Sequence, residues 1–234
     1  MNGFTALPRW TLNPVPGVGA HEVRIPDELM VASRRLANDL KVPLSSVLLA
    51  AHAKALDALS GDREVWTGYA VEAGSPLPLR LTLGPRSWRE ALRDIARAES
   101  ELLAHSDVAV VDLRRGPGLT EPSFETVFEL AADRGELPEG IVLRVAFVEH
   151  DGRVLRLRYK TDILDADGAA RIAGYHLTAL SLMTADPDAE HARQSLLSAG
   201  ALHFQLNGLA GPPGPRAVRG ASSGTPERRR GRAR

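Results

Sequence analysis

The segment that most constrains this chain runs from Val47 to Leu59, VLLAAHAKALDAL, in which only His52, Lys54 and Asp57 are polar. At helical periodicity such a segment is apolar around most of its circumference, so it must be buried on most sides. Ser45 or Ser46 is placed to cap its start. Gly61 is placed to stop it. With 234 residues the chain is long enough to build a core around this helix.

The flanking sequence supplies the remaining elements. Residues 1–20, rich in Pro and Gly, read as an extended lead-in, followed by a short alternating strand from His21 to Ile25. Pro26-Asp27-Glu28 opens a helix, since proline suits a first turn and acids suit its positive end. Glu64 to Val71 and Leu77 to Leu83 read as strands. Ser87-Trp88-Arg89-Glu90 has capping-box spacing and predicts a helix to about Ala104. Phe124 to Leu130 alternates as a strand. Ile141–Glu149 and Arg153–Lys160 flank Asp151-Gly152, a hairpin turn signal. Asp165 or Asp167 then caps a helix through about Met183, with Ile172, Tyr175, His176, Ala179 and Leu182 on its buried face, ended by Asp186-Pro187. This order predicts a mixed α/β domain with an open sheet packed by helices.

Composition narrows the function classes. The 29 basic and 29 acidic residues balance, which gives no global pull toward nucleic acid or membrane. The absence of cysteine excludes disulfides and thiolate metal sites and fits a cytoplasmic protein. The opening MNGFTALPRW has no basic region followed by an apolar run, so no secretory signal is expected, and no stretch is long enough for a membrane span. From Pro212 onward the chain is arginine-rich with almost nothing to bury, which predicts a disordered tail over 212–234. Gly17-Val18-Gly19 lacks the preceding strand and the spacing of a phosphate loop. No His or acidic pair has convincing metal-ligand spacing, so no metal and no resident cofactor are expected.

Several strings, in order, resemble the C-terminal, acceptor-side lobe of the nonribosomal peptide synthetase condensation domain family. Val42 to Gly61 resembles its long buried helix, and Asp62 to Gly68 (DREVWTG) the strand after it. Leu77 to Leu83 (LPLRLTL) resembles the strand that carries the family's arginine, here Arg80. Leu103 to Leu113, Phe124 to Leu130 (FETVFEL), Leu155 to Asp165 (LRLRYKTDILD) and Leu196 to Gly208 follow in family order. The resemblance covers roughly Trp10 to Gly211. It implies a single chloramphenicol acetyltransferase-like lobe over residues 21–211, and a place in nonribosomal peptide, antibiotic-type, biosynthesis.

The family's chemistry resides on an HHxxxDG motif in its first lobe. The seven histidines here, His21, His52, His105, His150, His176, His191 and His203, include no adjacent pair and no such pattern. The family's longer insert after the DREVWTG-like strand is only VEAGSPL here, Val71 to Leu77. The resemblance therefore implies a truncated, non-catalytic protein that binds a peptidyl carrier protein or another synthetase module. The alternative is half of a split amide-forming enzyme, with the HHxxxDG lobe on another chain. Phosphopantetheine would enter only on a carrier partner. A lobe separated from its mate should expose an apolar patch, so a homo-oligomer or complex is expected.

Four residues are the candidate substrate- or carrier-binding set: Arg80, Arg156, Arg158 and Lys160. Arg156, Arg158 and Lys160 alternate away from Leu155, Leu157 and Tyr159, and with Arg144 on the neighbouring strand they would form a basic face suited to an acidic carrier. His52, Lys54 and Asp57 read as a shared polar edge, with a pocket base as the functional alternative for His52. His176 reads as the edge of a core. His105 and Asp107 read as a charge arrangement at a helix end rather than a catalytic pair. Trp66 and Tyr69 read as packing residues.

Overall fold

A computed structural model gives the fold; it describes residues 5–12, 14–70, 75–104, 124–130, 137–149 and 152–197. The strands are β1 (Val18–Arg24), β2 (Glu64–Ala70), β3 (Leu77–Thr82), β4 (Thr126–Leu130), β5 (Leu143–Glu149) and β6 (Arg153–Lys160). The helices are α1 (Asp27–Leu40), α2 (Leu44–Ser60), α3 (Trp88–Ala104) and α4 (Ala166–Ala185), followed by a short 3-10 turn at His191–Arg193. Their order along the chain is the one the periodicity predicts. One mixed sheet results, in the order β1-β6-β5-β4-β2-β3. Strand β4 runs parallel to β2 and β5, and the other pairings are antiparallel.

Alternation decides the layers. Leu155, Leu157 and Tyr159 of β6, with Val145 and Phe147 of β5, point to one face, where they share a core with α2 and α4. Helix α2 is buried without interruption from Ser46 to Leu56, as its nearly all-apolar circumference requires. On the other face Phe124, Val127 and Ile141 form a second, smaller cluster. There the Phe124 ring lies against Gly68, where an added Cβ would come within 2.4 Å of it.

Local signals set most helix ends. Ser87 and Glu90 form the reciprocal capping box, the Ser87 N–H donating to Glu90 Oε2 at 3.0 Å and the Glu90 N–H to Ser87 Oγ at 3.3 Å. Asp165 caps α4 by accepting from the Gly168 N–H at 2.7 Å. Gly61 ends α2 with φ +77°, a left-handed conformation that glycine adopts without strain. The start of α2 departs from expectation. Pro43 occupies the cap position without a side-chain bond, and neither Ser45 nor Ser46 caps the helix. Ser46 turns inward instead and donates to Glu99 of α3.

The lead-in is more engaged than its Pro/Gly content suggests. Leu7 is buried and its N–H donates to Glu125 Oε2 at 3.0 Å, while Arg9 grips the same carboxylate through both terminal nitrogens. The Trp10 N–H donates to the Ile163 carbonyl, and the Trp10 carbonyl accepts from Asp165. Strand β1 begins at Val18, three residues before the predicted His21. The tail 212–234, the string beyond residue 197, and His105, Asp107, His150 and Asp151 lie outside the described residues. Among the described residues no single helix is long and apolar enough to cross a membrane.

Candidate functional site

Two regions gather the residue types that docking or chemistry would need: the sheet face turned away from the helices, and the interior beneath α2. On the outer face, β6 presents Arg156, Arg158 and Lys160, and the register sets Arg144 of β5 beside Arg158. The structure thus brings three of the four candidate residues together, with Arg144 next to them. The face carries carboxylates as well. Glu22 of β1 stands opposite Arg156, with Oε1 2.7 Å from the guanidinium Nε. Glu129 of β4 lies 3.7 Å from Arg144, and both side chains are almost wholly buried. These acids lower the positive potential that a row of free arginines would project. Both were present in the alternation of their own strands, but only the long-range register places them beside the arginines.

Arg80 stands apart from that row. It lies on the edge strand β3 opposite Trp66, with β5, β4 and β2 between it and β6. Its guanidinium approaches Glu64 at 3.7 Å and borders a groove of about 570 Å³ between β3 and α3. Arg86, Asp94, Arg97 and Glu101 also line that groove, and Arg86 is paired with Asp94.

The interior corrects the polar-edge expectation. His52 and Lys54 are about 200° apart around a helix of 3.6 residues per turn, so they cannot share an edge. Lys54 and Asp57, three residues apart, do share one, and their ion pair measures 2.6 Å. His52 instead points into the core and is fully buried, as is His176 of α4. The two rings meet, with His52 Nδ1 3.1 Å from His176 Nε2. His176 Nδ1 lies 2.8 Å from the Ile172 carbonyl, which can only accept, so this nitrogen carries the proton. His176 Nε2 is then bare and accepts from His52 Nδ1–H. His52 Nε2 in turn accepts from the Thr67 hydroxyl at 3.0 Å, and Thr67 Oγ1 accepts from Thr126 Oγ1 at 3.0 Å.

All four ring nitrogens of His52 and His176 are satisfied with both histidines neutral. A further proton on His176 Nε2 would meet the His52 N–H rather than an acceptor. Burial pushes His176 down to about 4, and burial followed by the neighbouring His176 pushes His52 well below its ordinary value. His52 is therefore neither a solvated edge nor an open pocket base, and His176 is interior rather than core-edge.

Two further buried polar groups went unmarked by the sequence. Glu99 of α3 accepts from Ser46 and, at 2.6 Å, from the Tyr69 hydroxyl. Burial first, and then the Glu99 carboxylate, raise the Tyr69 hydroxyl far above its usual range, so Tyr69 packs and donates. His191 is buried against the Trp88 ring at 5.1 Å, and burial foremost pushes it below its ordinary value. Gly19 has a packing role, because the Tyr159 ring would lie 2.5 Å from any Cβ at that position. Among the described residues no group of three or more His, Asp or Glu is arranged to hold a metal ion.

No protein-family model matches the chain. It is 27% identical to tyrocidine synthase 3 of Brevibacillus parabrevis over 207 aligned residues, covering 73% of this chain and 3% of that protein. Its backbone superposes on the condensation domain of the monacolin K polyketide synthase MokA with a TM-score of 0.65 at 17% identity, covering 79% of this chain and 54% of that one. The fold is that of a condensation-domain lobe. A structure of the X-domain from teicoplanin biosynthesis in complex with OxyB superposes with a TM-score of 0.69 at 19% identity, covering 85% of this chain and 53% of that one. The condensation-type lobe described here thus spans about half the length of these structures. The resemblance read from the sequence is matched in both sequence and fold.

Proposed function

We propose that this condensation-type lobe is a non-catalytic binding module of nonribosomal peptide biosynthesis, which engages a carrier protein or another synthetase module. One observation carries the non-catalytic part. The two histidines that the fold brings together, His52 and His176, are sealed in the interior and hold each other neutral, and the sequence offers no HHxxxDG in their place. A base for amide formation must reach the amine whose proton it manages, and neither ring is accessible. Binding by such a fold has a parallel in the X-domain solved with OxyB. Arg156, Arg158 and Lys160, grouped on the outer sheet face, are the residues assigned to an acidic carrier, and Arg80 would serve only a second, separate contact.

Titration of the full chain with a phosphopantetheine-loaded carrier protein tests this function. Binding that weakens about tenfold or more in Arg156→Glu/Arg158→Glu supports docking on this face, since like charges placed across an interface repel. Binding unchanged by the double substitution refutes that docking site. A split enzyme is the second arrangement, motivated by the chain's covering 54% of a condensation domain. Its signature is amide formation between carrier-bound substrates only when a second chain bearing HHxxxDG is added. Observing that activity would replace the non-catalytic assignment.

A further inference from the structure

Among the described residues the sheet ends in two edges of different character. In an antiparallel pair, residues that bond to the neighbour alternate with residues whose N–H and C=O point away. Arg63 and Leu83 share a bond at the end of the β2–β3 ladder, so the odd-numbered residues of β3 face β2. Pro78, Arg80 and Thr82 then direct their backbone groups outward, and Pro78 has no N–H to offer. Proline at an outward position is a standard block against strand addition, and β3 carries it.

Strand β1 carries no such block. The bonds Ile25 N–H to Arg153 O and Thr161 N–H to Gly17 O frame its ladder, so odd-numbered residues face β6. Val18, Ala20, Glu22 and Arg24 direct four N–H and four C=O groups outward. All four residues are exposed, and the seven-residue strand has neither proline nor bulge. Val18, one of the exposed large apolar residues, begins this edge. A long unprotected edge is a template for another strand.

We infer that β1 pairs with β1 of a second copy of this chain, antiparallel about a two-fold axis, so that the sheet continues from one copy into the other. Charge sets the register. With Val23 on the axis, Glu22 of each copy lies directly opposite Arg24 of the other, and these two residues exchange ladder bonds. Opposite charges directly across a ladder stabilise it, and like charges oppose it. A shift that centres the axis on Glu22 puts the two Glu22 side chains face to face. In this register Ala20 lies opposite the partner's Pro26, which has no N–H, so the ladder ends there and Val18 stays outside it. Among the described residues Glu22 pairs with Arg156 and Arg24 with Asp27, yet both side chains remain half-exposed or more and open to a second partner. The chain's formal net charge of zero sets no long-range repulsion between copies. This dimer is independent of the carrier-binding function proposed above.

Sedimentation equilibrium of the full chain over a range of concentrations tests it. Wild type should show a concentration-dependent monomer–dimer equilibrium. Glu22→Arg makes the strand wholly basic and Arg24→Glu makes it wholly acidic, so each variant alone should dimerise about tenfold or more weakly. An equimolar mixture of the two should recover association, because each basic edge then meets an acidic one. Glu22→Pro removes an outward N–H without touching the β1–β6 ladder and should also give a folded monomer; the charge variants decide the matter if it does not fold. A wild type monomeric at every concentration overturns the inference. So does a dimer indifferent to both charge changes, or a monomer whose β1 amides gain protection from exchange only when an extended peptide is supplied.

Discussion

His52 and His176 show what burial does to a titratable residue. An unfolded chain binds a proton on His176 near the ordinary 6.5, whereas the folded chain does so only at about 4. Between those values the unfolded state holds more protons, so stability rises with pH across that window. The contribution is complete above about 6.5 and is lost as the pH falls toward 4. His52, lowered for the same reason, acts in the same direction. Urea unfolding at pH 7.5 and pH 5 should therefore differ by about 2 kcal/mol on account of His176 alone, since each pH unit below the unfolded pKa is worth about 1.4 kcal/mol. His176→Gln should be less stable at pH 7.5 and show a shallower pH slope. An unchanged slope would mean that the histidine pair does not titrate with unfolding.

Among the elements, α2 and α4 begin in different ways, and the difference can be measured. Asp165 makes a cap bond to the Gly168 N–H, so Asp165→Ala should cost about 1 kcal/mol and lower Tm by a few degrees. Ser45 makes no cap bond, so Ser45→Ala should leave Tm nearly unchanged. Ser46→Ala should destabilise although it is not a cap either, because it removes a donor from the buried Glu99 carboxylate. Equal thermal scans for Asp165→Ala and Ser45→Ala would contradict this ranking. A reading based on residue type alone places the two serines and the aspartate in one class. Ser46 leaves that class because Pro43 already starts the helix and α3 offers its hydroxyl a better acceptor.

At the scale of the whole molecule, segments far apart in sequence are tied by a few polar contacts. Glu125 joins the N-terminal segment to the sheet by accepting from Leu7 and Arg9. Burial favours protonation of its carboxyl, but the Arg9 hydrogen bond, the Leu7 N–H and the nearby cations outweigh this and hold it below its ordinary value. Glu125→Ala leaves the buried Leu7 N–H unsatisfied, at a cost of about 1–3 kcal/mol. Limited proteolysis should then cut the variant between residues 5 and 12 sooner than wild type. Equal cleavage rates would show that Leu7 and Trp10 hold the segment without the carboxylate.

The sequence by itself determined the elements and their order, because periodicity, turn residues and caps act within a few positions of one another. Alternation along Arg153–Lys160 fixed which side chains share a face, and the apolar run of α2 required a buried helix. The resemblance strings anticipated the condensation-type lobe for the same reason, since each reflects a local pattern in a set order. The tertiary structure alone decided what meets across the fold. It set Glu22 beside Arg156, Glu129 beside Arg144 and His52 against His176, and it placed Arg80 on an edge with three strands between it and the other candidate residues. Those outcomes depend on strand register and helix rotation, which are fixed by packing between segments far apart in sequence, as in the 134 residues from Glu22 to Arg156, and no local window contains that information.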